Sequence, residues 1–105
     1  MKVNAARFIP VLVAFPEAEA RQESWGRFLE LQSNRARLIT RTRMEKGDVL
    51  ILTFDLPGEA FAGVDAEVAR AAADEDGYYV CTVLFPEEEQ RVRLGRTLQR
   101  ILAAS

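Results

Sequence analysis

The chain contains no histidine and a single cysteine, Cys81. Histidine-based acid–base catalysis and Ser–His or Cys–His nucleophile pairs are therefore excluded. No disulfide can form within one chain, and a zinc site would need an unusual all-carboxylate ligand set. An excess of positive charge is also absent: 14 Lys and Arg stand against 16 Asp and Glu, for a net charge of −2. Nothing in that total favours nucleic acid or an anionic membrane. No apolar run approaches the roughly 20 residues that cross a bilayer as a helix. Internal repeats, low-complexity segments and linker-like stretches are missing as well.

What is present is a globular balance. The 105 residues are 49% hydrophobic and 29% charged, which predicts one domain over residues 1–105 with a small core. The stretch GDVLILTFDLPG organises it. Over residues 48–56, Leu50, Leu52, Phe54 and Leu56 fall on one face of a strand, while Val49, Ile51, Thr53 and Asp55 fall on the other. Gly47 turns the chain into this strand and Pro57-Gly58 is read as its stop.

Further strands are expected over residues 7–15, 25–32, 35–44, 64–73 and 78–85, and a helix over 87–103. The first, FIPVLVAF, is apolar on both faces, so it is sandwiched between layers or presented to a partner. With Lys2 and Arg7 before it and Ala18-Glu19-Ala20 after it, the segment imitates a signal peptide. Pro10 interrupts the run and the apolar residues suit a strand, so a retained, cytosolic segment is expected. In the second strand the alternation breaks where Phe28 and Leu29 are both apolar. Residues 58–63, which include Phe61, read as a loop.

Asp74-Glu75-Asp76-Gly77 reads as a solvated hairpin turn, since it lacks the ligand spacing of a calcium loop. Cys81, inside the last strand, reads as a small buried side chain rather than a nucleophile. Pro86 opens the helix, and Glu87 to Glu89 suit the positive end of its dipole. Glu87 with Arg91 and Glu89 with Arg93 are spaced as i,i+4 pairs. Leu94, Leu98, Ile101 and Leu102 form a stripe that docks on the sheet or, alternatively, serves as a seam between copies in a homo-oligomer.

Arg35, Arg37, Arg41 and Arg43 share one face of the third strand with Ile39. Such a row is either a solvated outer face, whose aliphatic stems cover apolar surface, or an anion-binding patch. Aromatics suited to base stacking are not interleaved with it and the chain is acidic, which favours the solvated face. An acidic partner protein is the interaction this row would serve, which makes the four arginines the candidate interaction surface.

From Gly47 onward the chain resembles PilZ domains. The resemblance rests on Gly47, Leu56-Pro57, Val68-Ala69-Arg70, the hairpin, Val83-Leu84-Phe85, and the helix with Leu94 and Leu98. It implies a mainly β fold: a six-stranded antiparallel PilZ-type β-barrel with one C-terminal α-helix. Many PilZ domains are receptors for cyclic di-GMP, using an Arg-x-x-x-Arg and a later Asp/Asn-x-Ser-x-x-Gly.

This chain departs from both motifs. Arg7 matches the second arginine, and the first falls on Val3. The later motif falls on Leu31, Ser33 and Ala36, where only Ser33 matches. Charge-assisted bonds are worth roughly 1.5–3 kcal/mol each, so these losses together move a micromolar ligand toward millimolar. The resemblance thus implies an adaptor without cofactor, metal or cyclic di-GMP, acting through a protein partner in bacterial motility, type IV pilus function or cell polarity. A divergent cyclic di-GMP receptor using Arg7, Ser33, Arg35 and Arg37, and a small β-barrel nucleic-acid binder, are the alternatives. Catalysis is not expected.

Overall fold

The computed structural model describes residues 9–16 and 21–104, and the backbone of residues 2–4. Its elements in order are β1 (Lys2–Asn4), β2 (Pro10–Ala14), β3 (Ser24–Gln32), β4 (Arg35–Thr40), β5 (Val49–Leu56), β6 (Glu59–Ala73), β7 (Tyr79–Leu84) and α1 (Glu88–Ala103). Every strand pairing is antiparallel. The sheet runs β3–β2–β5–β6–β7–β4 and returns to β3, which closes a six-stranded barrel. Closure leaves no sheet edge along this ring. β1 and β2 lie end to end on the same side of β3, with Val3 opposite Leu31 and Leu12 opposite Trp25. The fold is thus a mainly β, six-stranded antiparallel barrel with a C-terminal helix.

Alternation fills the interior. Leu50, Leu52, Phe54 and Leu56 of β5 are buried, as are Val11 and Val13 of β2 and Cys81 and Val83 of β7. Phe54 forms the centre of an aromatic group, edge-on to Phe28 at 4.9 Å and stacked on Phe61 at 5.2 Å. Leu94, Thr97, Leu98 and Ile101 of α1 are buried against this core. Leu94, Leu98 and Ile101 of the stripe thus dock on their own barrel, while Leu102, its fourth member, is exposed.

Two boundaries differ from the sequence reading, each for a local reason. Pro57-Gly58 turns the chain instead of ending the sheet: Leu56 pairs with Glu59 across it, and Gly58 takes φ +83°. Proline and then a positive-φ glycine are what the two central positions of a type II turn require. β6 therefore begins at Glu59 rather than residue 64, and Phe61 is core rather than loop. β4 ends at Thr40 rather than 44, because the Thr40 hydroxyl accepts the backbone N–H of Thr42 (3.2 Å) and bends the chain out of the ladder. In β3 the register against β4 shifts between Phe28 and Glu30. That irregularity explains the broken alternation: Phe28 and Leu31 are buried while Leu29 between them is not. Finally, β2 starts at Pro10, and expected strand residues 7–8 lie outside the described residues.

α1 has no side-chain N-cap; Glu88 and Glu89 stand in its first turn instead. Arg91 and Arg93 do not serve as simple helix-surface partners of Glu87 and Glu89. Arg91 donates to the carbonyls of Phe85 and Pro86 (2.8 and 2.6 Å), and Arg93 reaches Glu59 (3.2 Å) and the Ala60 carbonyl (2.7 Å). The helix is tied to the β5–β6 turn and to the end of β7.

Candidate functional site

The sheet brings three of the residues matched to the PilZ ligand motifs into one row, with Val3 opposite Leu31 and Leu31 opposite Ala36. Val3 sits in β1, its backbone paired opposite Leu31, and Arg7 lies outside the described residues. Leu31 and Ala36 are 0% and 2% exposed, inside the barrel. Ser33 lies in the β3–β4 turn, packed so closely against α1 that a Cβ on Gly95 would sit 3.3 Å from the Ser33 Cβ. Leu31 therefore faces no ligand on the barrel surface, and Ala36, nearly covered at the floor of the outward groove, has no side-chain donor or acceptor to offer one.

The side chains that do face outward at this turn are Glu30, Gln32, Arg35 and Arg37. With Ala36 of β4 and Thr82 of β7 they line a groove of about 120 Å³. The Gln32 amide donates to the Glu30 carboxylate at 2.8 Å, and Arg37 Nε lies 3.9 Å from the same group. Glu30 and Gln32 were not singled out from the sequence. The apolar spacing Leu31, Ala36, Leu38 marks the inward set, and its complement gives the groove residues. The irregularity at Phe28–Glu30 obscured that parity.

The four candidate arginines are not one cluster. Arg35 and Arg37 flank the groove on β4. Arg41 lies beyond the strand with its guanidinium 4.7 Å from the Tyr78 ring centroid, donating to the phenol oxygen at 3.2 Å. Arg43 pairs with Glu45 at 2.8 Å. The sheet instead brings two further arginines to this face. Arg27 of β3 is opposite Ile39, and Arg70 of β6 shares Thr82 as its cross-strand neighbour with Arg37.

A second groove, of about 360 Å³, runs between α1 and the β3–β4 turn, lined by Ser33, Arg91, Val92, Gly95, Arg96 and Gln99 among others. Beside the helix, Glu59 accepts from the Thr97 hydroxyl (2.8 Å) and from Arg93. Chiefly the Thr97 bond, then the Arg93 charge, holds this carboxyl below the usual carboxylate range. Cys81 is buried, and loss of hydration, with a smaller contribution from the charge of Asp48, pushes its thiol up to about 12. It is a neutral core side chain at neutral pH.

Among the described residues no group of three or more acidic or cysteine side chains is placed to hold a metal ion. Nor is any helix among them long and apolar enough to cross a membrane.

No family model matches the chain, and no curated protein matches it. A solved structure does: the Bacillus subtilis inhibitor of motility (MotI/DgrA), with a TM-score of 0.66 and 17% sequence identity. The match covers 97% of this chain and 50% of that one, so the chain spans half the length of that protein. What the two share is the fold, a six-stranded antiparallel barrel closed by a C-terminal helix.

Proposed function

We propose that this chain is a PilZ-type regulatory module that binds another protein, performs no catalysis and does not bind cyclic di-GMP. The observation that carries the reading is the state of the β3–β4 turn. Leu31 and Ala36 supply none of the polar groups the later motif needs, and the outward groove that Ala36 helps to line measures about 120 Å³. Sites for drug-sized ligands run to roughly 300–1,000 Å³; the helix-side groove, at about 360 Å³, reaches that range but takes only Ser33 from the motif. Glu30 lines the outward groove and engages Gln32 and Arg37. A cyclic dinucleotide would have to displace those contacts to enter it.

The absence of histidine and the neutral thiol of Cys81 support a non-enzymatic role. The fold likeness to an inhibitor of motility supports motility control as the setting. Calorimetric titration with cyclic di-GMP at moderate salt tests the reading. No heat is expected up to about millimolar ligand. Micromolar binding that Arg7→Ala weakens would overturn it and establish a divergent receptor.

A further inference from the structure

The outer face of β3, β4, β7 and β6 carries a concentration of positive charge that the chain as a whole does not. The chain's net charge is −2. On this face the register sets out successive rows: Glu30, Arg37, Thr82 and Arg70, then Arg27, Ile39, Val80 and Ala72. Directly opposed residues on neighbouring strands have Cβ atoms about 4.5–5.5 Å apart, so each row is continuous surface. Arg35 flanks the groove in the adjoining row, Arg35, Leu84 and Glu67, so four arginines stand against Glu30 and Glu67 on this face. Arg27, Arg35 and Arg70 have no acidic partner among the described residues.

Apolar and aromatic surface is interleaved with this charge. Ile39 and Val80 are half-buried in the second row, and Trp25, two residues before Arg27 on β3, is 66% exposed. Arginine and tryptophan beside aliphatic side chains is the composition of protein-interface centres. Nucleic acid is the less suited occupant. Stacking needs open aromatic faces, and the Arg41 guanidinium lies over the Tyr78 ring, leaving Trp25 as the open one here.

We infer that this face docks an acidic, partly apolar segment of a partner protein, with one partner carboxylate seated in the groove between Arg35 and Arg37 and a partner apolar group on Trp25. The groove, at about 120 Å³, has the size for one side chain rather than a nucleotide. Arg37 Nε lies 3.9 Å from Glu30, beyond hydrogen-bond distance, which leaves the guanidinium's donors for an incoming carboxylate. The inference rests on the protein-binding reading above and adds the surface and the partner's chemistry.

The chain's single tryptophan lies on the face itself, so it reports occupancy directly. The experiment titrates the protein with a labelled 15-residue peptide of Glu, Leu and Ser, following peptide anisotropy and Trp25 emission. A 15-nucleotide single-stranded DNA and cyclic di-GMP are titrated in parallel. The expected result is salt-sensitive peptide binding with a blue shift of Trp25 emission. It should be weakened about tenfold or more by the double variant Arg37→Glu/Arg70→Glu and left unchanged by Arg96→Glu on the helix. No peptide binding, or binding that only Arg96→Glu weakens, would overturn the face and leave the protein-binding reading standing. DNA bound in preference to the peptide would replace the partner class. A response to cyclic di-GMP alone would overturn both.

Discussion

On α1, Arg91 donates to two backbone carbonyls, Arg93 bridges Glu59 and the Ala60 carbonyl, and Arg100 donates to the Pro57 carbonyl at 3.1 Å. On β4, Arg35 and Arg37 stand over an open groove, and among the described residues Arg37 reaches an acid, Glu30, at 3.9 Å. The same side chain is used as mortar at the capped end of the barrel and as open surface on the sheet. The difference lies in what is offered to the guanidinium. A turn and a strand end present carbonyls that lack ladder partners. A paired strand in mid-sheet has none to give. Arginine count along a sequence therefore says little about binding until it is known which carbonyls are unspent.

The comparison is broken most severely at the core that both regions cover. Phe61 is 1% exposed, stacked on Phe54, and lies 4.3 Å below the Arg93 guanidinium. Phe61→Ala should destabilise by about 3–5 kcal/mol, read from urea denaturation midpoints. A loss below about 1 kcal/mol would mean that residues 59–63 are the loop the sequence suggested. Next comes the sheet side. A Cβ on Gly26 would lie 2.5 Å from the Ile39 carbonyl oxygen, a backbone atom that cannot swing aside. Gly26→Ala should cost about 1–3 kcal/mol.

These two sites also show where the sequence was and was not legible. β5 could be read directly because its Leu50, Leu52, Phe54 and Leu56 keep strict alternation between glycine-marked turns. α1 could be read from its proline, acidic first turn and leucine spacing. Phe61 was missed because Pro-Gly punctuates both a strand's end and a tight hairpin, and composition does not separate the two. Of the candidate surface, Arg35 and Arg37 were visible as an alternating row on one strand. Arg27 and Arg70 join them only through cross-strand register, which no local pattern encodes. Leu31 and Ala36 were set against ligand-motif positions by their linear spacing from Ser33, which carries no information on burial.

The mortar role is sharpened by Arg93→Ala, which removes the bond to the Ala60 carbonyl and the cation–π contact with Phe61. A loss of about 1 kcal/mol is expected. Its partner gives a pH signature. Thr97 and Arg93 lower the Glu59 value in the folded chain below the ordinary 4.5, so folding favours the carboxylate. That contribution is present above the ordinary value and is lost as pH falls through the lowered one. Glu59→Gln should therefore flatten the fall of stability below about pH 4.5 relative to the parent chain, as read from denaturation midpoints at successive pH values. An unchanged acid limb would remove Glu59 from the cap.

Arg37→Ala carries the smallest effect on stability and the sharpest contrast with Arg93→Ala. Its side chain is 52% exposed and its contact with Glu30 is long. Exposed pairs of this kind contribute about 0–1 kcal/mol, and the variant should fall at the low end. Glu30 also keeps its bond from Gln32, so removing Arg37 does not strand a buried charge. A denaturation midpoint close to that of the parent chain, beside a clear loss in Arg93→Ala, would separate the two uses of arginine by measurement. A loss in Arg37→Ala as large as that in Arg93→Ala would make the β4 arginines structural. Their charge would then be spent on the fold, and the open face would have no guanidinium left to offer a partner.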